Sequence, residues 1–146
     1  MRMIPDFVDG AILPPGIHSC SWDELVTRFG RSERRRSLCN ELRRIVDTAA
    51  GCAFLGILLW GSFPTAAENP GDLDLLFITL PGVSKNNVAP ECAELLEPER
   101  SRERFGHDFL QCSNDPEVLE YLARYLGYDS SIDKQKGVLR LDLPCE

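Results

Sequence analysis

The sequence lacks the features that would mark several common classes of protein. No apolar run approaches the roughly 20 residues that a membrane-spanning helix needs, and the start, MRMIPDFVDG, lacks the continuous apolar core of a signal peptide. Walker-type phosphate loops, Rossmann fingerprints and Gly-x-Ser-x-Gly nucleophile motifs are also missing. We therefore expect a cytoplasmic protein that makes no membrane contact and that does not bind nucleotides through a P-loop.

Cysteines are present, but without the spacing of a metal site. The chain has six cysteines and only two histidines. None of the cysteines forms a Cys-x-x-Cys pair, and no histidine stands at ligand spacing from one. A structural zinc site or a disulfide framework is therefore not expected, and we predict reduced thiols in a reducing compartment.

The charge is acidic overall but unevenly distributed. Sixteen basic and 23 acidic residues give a net charge of −7, which argues against a surface that coats nucleic acid. Six arginines nevertheless fall within one segment, namely Arg31, Arg34, Arg35, Arg36, Arg43 and Arg44. This segment has two interpretations: a solvated helix face paired with Glu33 and Glu41, or a local anion site for phosphates.

Hydrophobic periodicity indicates a single domain of the α+β class, a small mixed β-sheet flanked by helices. Residues 1–20 show no sustained period and read as an extended arm, which leaves 21–146 as the domain. Helices are predicted over 22–29, 32–50, about 93–104 and from the segment NDPE at 114–117 to Gly127. Strands are predicted over 53–60, 73–80, 105–112 and 137–143.

The segment LWGSFPTAAENPGDLDLLF (59–77) places two carboxylates at the mouth of the second strand. Residues two apart in a strand face the same side, so Asp72 and Asp74 project together while Leu73 and Leu75 face the other way. Two such charges about 6.5 Å apart repel by roughly 2 to 3 kcal/mol at an effective dielectric constant near 20. Divalent cations would make the pair tolerable, because Mg²⁺ prefers carboxylate oxygens.

A third carboxylate and a phosphate-binding turn would complete such a site. Asp108, inside the predicted third strand, is the best candidate for the third carboxylate, and Asp142 in the last strand is the alternative. Gly61 lets the backbone approach an anion closely, and the Ser62 hydroxyl and nearby amides can donate hydrogen bonds to it.

Two further positions have open interpretations. His107 would face the opposite side of the strand from Asp108, which favours a core or surface role. Lys136 and Arg140 share one face near the last strand, either as part of a salt-bridged edge strand or as basic contacts for a nucleotide.

The combination Gly61-Ser62, about ten polar residues, Asp72-Leu73-Asp74 and an apolar strand resembles the signature of the DNA polymerase beta superfamily of nucleotidyltransferases, particularly its minimal bacterial members. The resemblance covers about residues 52–112. It implies a small mixed sheet flanked by helices, with Asp72, Asp74 and Asp108 as the catalytic residues that bind two Mg²⁺ ions. Gly61 and Ser62 would hold the phosphates of a nucleoside triphosphate.

Over nearly its whole length the chain is also similar to a family of small uncharacterised bacterial proteins with this nucleotidyltransferase-like core. The segments IPDFVDG, SWDELVTRFG and KGVLRLDL, among others, carry that similarity. It brings no established activity with it.

The sequence departs from the minimal nucleotidyltransferases at three positions. Thr65 and Ala66 stand where these relatives usually carry Arg and Gly, and Gly71 stands where they carry Ser. Thr65 is therefore grouped with Gly61 and Ser62 as a candidate nucleotide-binding residue.

Two functions are consistent with this pattern. The first is a Mg²⁺-dependent nucleotidyltransferase that moves a nucleotidyl group from a nucleoside triphosphate to an unknown acceptor. The second is a catalytically degenerate binding or regulatory module, such as one half of a toxin-antitoxin pair, with a small helical protein or RNA as its partner. The pattern leaves the oligomeric state open.

Overall fold

The computed structural model describes residues 3–145. Residues 1 and 2 of the expected arm and residue 146 of the expected domain lie outside that range. Within it, the helices are α1 (Trp22–Phe29), α2 (Glu33–Gly51), α3 (Pro90–Leu96), α4 (Pro98–Phe105) and α5 (Pro116–Gly127). The strands are β1 (Ile17–Cys20), β2 (Gly56–Trp60), β3 (Asp74–Thr79), β4 (Phe109–Ser113), β5 (Tyr128–Asp129), β6 (Lys134–Gln135) and β7 (Val138–Asp142). The expected α+β class is confirmed.

Five strands form one mixed sheet in the order β1-β7-β2-β3-β4. The central strands β7, β2 and β3 are antiparallel neighbours, whereas the outer pairs β1 with β7 and β3 with β4 are parallel. Trp60 pairs with Asp74, and Leu75 pairs with Phe109. The end of β2 and the starts of β3 and β4 therefore meet at one end of the sheet.

The two faces of the sheet are covered unequally. Leu75 and Phe77 of β3 enter the larger core, together with the buried stripe of α2. The intervening residues Leu76 and Ile78 belong to a smaller cluster that includes Leu119 of α5. This strict alternation fixes which β3 side chains point to which face.

Several boundaries differ from the sequence predictions. The helix predicted near 93–104 is two helices, because the residue before a proline disfavours the helical conformation and Glu97, before Pro98, is extended. The strand predicted over 105–112 begins only at Phe109, since α4 continues to Phe105. Strand β1 lies within the expected arm, and the short β5–β6 hairpin was not predicted.

The expectation that all cysteines are free is wrong for one pair. Cys52, which caps the end of α2, is disulfide-bonded to Cys92 in α3. The two residues are 40 positions apart, so no short spacing motif could reveal the pair. The cysteine spacing therefore does not argue for a reducing compartment.

None of the helices between residues 3 and 145 combines the length and the apolar character needed to cross a membrane.

Arg35 of α2 organises the loop that follows β2. Its guanidinium donates hydrogen bonds of 2.6–3.2 Å to the carbonyl oxygens of Phe29, Phe63, Thr65 and Ala67. The residue is only 6% exposed, and burial lowers its pKa. A buried cation held by four carbonyls fixes the path of residues 63–67, because each of these oxygens would otherwise lose its partner.

We predict that Arg35→Met destabilises the protein by about 3–5 kcal/mol, since several buried carbonyls would be left without a donor. The measurement is the free energy of unfolding in urea. Arg36→Met is the matched control, because Arg36 is exposed and makes one long hydrogen bond, 3.4 Å to the carbonyl of Arg31. The control should change stability by no more than about 0.5 kcal/mol. Equal effects of the two substitutions would contradict the assigned role of Arg35.

Candidate functional site

The Asp72–Asp74 pair lies at the start of β3. Leu73 and Leu75 are buried in the larger core, so the alternation of the strand directs both carboxylates to the opposite face, as predicted. Asp72 is exposed and Asp74 is half-buried. Burial raises the pKa of the Asp74 carboxyl above its ordinary value, and the negative charge of Asp72 raises this pKa further.

Gly61 is in direct contact with Asp74. Its φ of +79° lies in the left-handed region, and a Cβ built at this position would overlap the Oδ2 atom of Asp74. Both the conformation and the close approach therefore require glycine. The Gly-Ser turn and the aspartate pair, ten residues apart in sequence, meet in space as the spacing had suggested.

Asp108 lies beside Asp74 at the same end of the sheet. Leu75 and Phe109 are the first partners of a parallel pair, so the residues that directly precede them, Asp74 and Asp108, lie at the same end of the sheet. Asp108 is exposed, however, and its carboxylate accepts a hydrogen bond of 2.9 Å from Arg102 of α4. Asp108 therefore precedes β4 rather than lying inside it, and its charge is already paired.

Asp142 is remote from this group. It pairs with Gly56, at the opposite end of β2 from Trp60, which pairs with Asp74. Four residues of strand separate the two positions by about 13 Å. Asp142 instead accepts a hydrogen bond of 2.8 Å from Arg140. The topology thus favours Asp108 over Asp142 as a third carboxylate.

The interpretation that places Lys136 and Arg140 on an edge strand is wrong, because β7 lies inside the sheet.

The hydroxyl of Thr65 serves the loop rather than the aspartates. It donates a 2.6 Å hydrogen bond to the carbonyl of Ser62 and accepts one of 3.1 Å from the amide of Ala67. Thr65 also lines a pocket of about 1100 Å³ between the arm, α1, the start of α2 and residues 65–68. The Thr65 hydroxyl is therefore engaged with the backbone of the loop, whereas Gly61 contacts Asp74.

Lys136 approaches the Gly-Ser turn from the other side. Its Nζ atom lies 3.4 Å from the carbonyl oxygen of Gly61 and 3.3 Å from Oδ2 of Asp129. His107 and, to a smaller extent, Lys136 lower the pKa of Asp74 and so partly offset its upward shift. The sequence pattern places Lys136 and Arg140 on one face. It does not reveal the contact between Lys136 and Gly61, because that contact depends on how β7 pairs with β2.

His107 is buried on the core face, 8% exposed, while Asp108 points outward. This alternation confirms that the two residues face opposite sides. The Nε2 atom of His107 lies 3.7 Å from Oε1 of Glu41 in α2. Nε2 of His107 and Oε2 of Glu41 are buried without a hydrogen-bond partner among the described residues.

The arginine segment does not present a free anion site at α2. Arg34 donates to the carbonyls of Pro70 and Gly71, the latter just before Asp72. Arg43 and Arg44 lie over the rings of Trp22 and Phe105. Arg34 and Arg35 therefore hold the loop, and Arg43 and Arg44 pack on aromatic rings, roles that the sequence pattern could not distinguish from phosphate binding.

Across residues 3–145, no group of three or more His, Cys, Asp and Glu side chains is arranged as it stands to hold a metal ion. One reason that no such group forms is the ion pair between Asp108 and Arg102, which holds the Asp108 carboxylate against α4. The arrangement thus brings together a glycine turn, two carboxylates and one lysine, with a third carboxylate adjacent.

Comparison with known proteins identifies a family without a known activity. The profile of the family of unknown function DUF6932 matches residues 5–142. The chain belongs to this family. Searches of curated proteins and of solved structures each gave no match. The resemblance to nucleotidyltransferases therefore remains a prediction from the sequence signature.

We predict that Gly61→Ala is more destabilising than Gly82→Ala by about 1–3 kcal/mol, the usual cost of overpacking. Both glycines have a positive φ, but a Cβ at Gly82 meets nothing within 4 Å. The extra cost should disappear in an Asp74→Ala background, where the overlapping oxygen is removed. A double-mutant cycle on unfolding free energies measures this coupling. Additive effects would show that Gly61 and Asp74 are not in contact.

We predict that Asp74→Asn stabilises the protein at pH 7 by about 0.5–1 kcal/mol, or a few degrees in Tm. Because the pKa of Asp74 is raised on folding, the folded state binds its proton more tightly, and the free energy of unfolding falls as pH rises above the ordinary carboxyl value of about 4. Asparagine removes that penalty.

The gain should therefore shrink as the pH is lowered to about 3, where both states of the wild type are largely protonated. Thermal unfolding between pH 3 and 8 in the presence of a chelator provides the measurement. Asp108→Asn is the control and should give no gain, since Asp108 is exposed and ion-paired. A wild type that is more stable than Asp74→Asn at pH 7 would contradict the prediction.

Proposed function

We propose that this protein is a Mg²⁺-dependent nucleotidyltransferase that acts on a nucleoside triphosphate. The observation that carries the proposal is the contact between Gly61 and the Asp74 carboxylate, with Asp72 on the same face. A turn with no role other than ending a strand would not need to contact two carboxylates of like charge, one of them half-buried. The repulsion between the two carboxylates lowers the stability of the fold.

The donor set fits a divalent cation. Asp72 and Asp74 supply carboxylate oxygens, the ligands that Mg²⁺ prefers, and Asp74 carries a penalty for its own negative charge that a cation would relieve. Asp108 directly precedes β4 at the same end of the sheet and would join them once its carboxylate left Arg102. Bound cations would supply charge neutralisation for the triphosphate and the leaving group.

The chain's own residues would then position the reactants. The backbone at Gly61 and Ser62 would hold the β- and γ-phosphates, since glycine permits a close approach. Asp108 would accept the proton of the acceptor hydroxyl as its oxygen bonds to the α-phosphorus, and pyrophosphate would leave. In such transfers positioning and electrostatics supply most of the rate.

We predict that the wild type transfers label from α-labelled nucleoside triphosphates, in the presence of Mg²⁺, to a component of mixed cell protein or RNA. Asp72→Asn with Asp74→Asn should reduce this transfer by about 100-fold or more, the usual cost of lost transition-state electrostatics. Asp142→Asn is the matched control, because it removes a carboxylate at the far end of β2. Absence of transfer by the wild type, or transfer that survives the double substitution, would refute the proposal.

A second candidate is a binding module without catalysis, favoured by the surface of α5. All three tyrosines of the chain, Tyr121, Tyr125 and Tyr128, lie on or just after this helix. They are 69%, 72% and 49% exposed. Exposed tyrosines supply large contact areas at protein interfaces. Absence of tight Mg²⁺-nucleotide binding in calorimetry, together with absence of label transfer, would favour this alternative.

A further inference from the structure

Lys136 stands on a segment whose backbone is fixed on both sides. Its amide donates a 2.8 Å hydrogen bond to the carbonyl of Gly127, and the next amide, of Gly137, donates one of 2.9 Å to Leu13. A Cβ added to Gly127 would overlap the carbonyl oxygen of Lys136, and a Cβ added to Gly137 would overlap the carbonyl oxygen of Pro14. The Cα of Lys136 is therefore held rigidly, and its side chain is 13% exposed.

The ammonium group of Lys136 is only loosely engaged. Its two contacts, with Asp129 at 3.3 Å and with the Gly61 carbonyl at 3.4 Å, are longer than the 2.7–2.9 Å typical of charge-assisted hydrogen bonds. An ammonium group has three donors on a flexible stem. Lys136 can therefore turn toward an anion at the Gly-Ser turn without moving its backbone.

The other basic residues near this loop are already committed. Arg35 and Arg34 donate to loop carbonyls, and Thr65 stands where minimal nucleotidyltransferases carry arginine. A triphosphate at the Gly-Ser turn would meet the two aspartates on one side. The triphosphate needs positive charge on its other side. Within residues 3–145, Lys136 is the basic side chain that contacts Gly61.

We propose that Lys136 binds the terminal phosphates of the nucleotide and takes the place of the arginine that is missing from the loop. The inference rests on the proposed function, because it assigns the phosphate contact of that same site. Asp129 holds the ammonium group in the absence of nucleotide, and the lysine exchanges this carboxylate for a phosphate oxygen when the nucleotide binds.

Calorimetry with two probes, Mg²⁺ alone and inorganic tripolyphosphate with Mg²⁺, tests the proposal. Lys136→Met should weaken tripolyphosphate binding by about 10- to 100-fold, the value of a lost charge-assisted hydrogen bond. The same substitution should leave Mg²⁺ binding unchanged or make it tighter, because a cation near Asp74 is removed. A merely structural lysine would weaken both, since the site itself would be disturbed.

Two further variants sharpen the test. Lys136→Arg should restore most of the tripolyphosphate affinity, because the charge is kept. Lys134→Met, two residues away and ion-paired with Asp9 at 2.6 Å, is the matched control and should bind tripolyphosphate like the wild type.

The outcomes separate the two proposals. If Lys136→Met binds tripolyphosphate as the wild type does while label transfer by the wild type is intact, the lysine assignment is wrong and the nucleotidyltransferase proposal stands. If the wild type binds no tripolyphosphate and transfers no label, both are wrong. Loss of tripolyphosphate binding together with loss of Mg²⁺ binding in Lys136→Met would also overturn the assignment.

Discussion

The buried guanidinium of Arg35 is the interaction on which the site depends. It draws four carbonyl groups toward the start of α2, and Arg34 extends the same contact to Pro70 and Gly71. The loop between β2 and β3 carries exposed small residues and two buried prolines, and apart from a single bridge between Thr65 and Ile12 it has no regular structure. Without hydrogen-bond donors for its carbonyl groups, the loop would adopt many conformations. The two arginines therefore fix the approach of the chain to Asp72, and with it the direction of the aspartate pair.

The carboxylates illustrate how a site can be maintained at a cost in stability. Burial and the charge of Asp72 both disfavour the ionised form of Asp74, and Gly61 approaches this carboxylate so closely that a Cβ on the glycine would overlap it. Structural roles seldom require such an arrangement, because an amide or an alanine would be more stable there. Groups with perturbed pKa values cluster at functional sites for this reason. A cost of this kind is typical of a site that binds a cation or a ligand, whatever family the chain resembles.

Local sequence signals predicted most of the secondary structure and the shared face of Asp72 and Asp74. Helix α1 has the predicted bounds because Ser21 caps it by accepting from the Glu24 amide. Several of the missed features depend on which parts of the chain meet in the fold, whereas the break between α3 and α4 follows from a local signal, the residue before Pro98. The disulfide joins positions 40 apart, and β1 is a strand because β7 is available to pair with it. The pairing of Arg102 with Asp108 depends on where α4 ends, which Pro98 and Gly106 determine together.

The arginine segment and Lys136 show why charge in a sequence is a weak guide to charge at a site. Six arginines within fourteen positions suggested phosphate binding, yet the ones closest to the loop are held by backbone carbonyls. A single lysine far along the chain reaches the Gly-Ser turn, because β7 returns antiparallel to β2 and carries the preceding residues past Gly61. Proximity in the fold, not density in the sequence, decides which cation can meet an anion. Under the proposed function, a loop without an arginine would bind phosphate with the charge that the segment before β7 supplies.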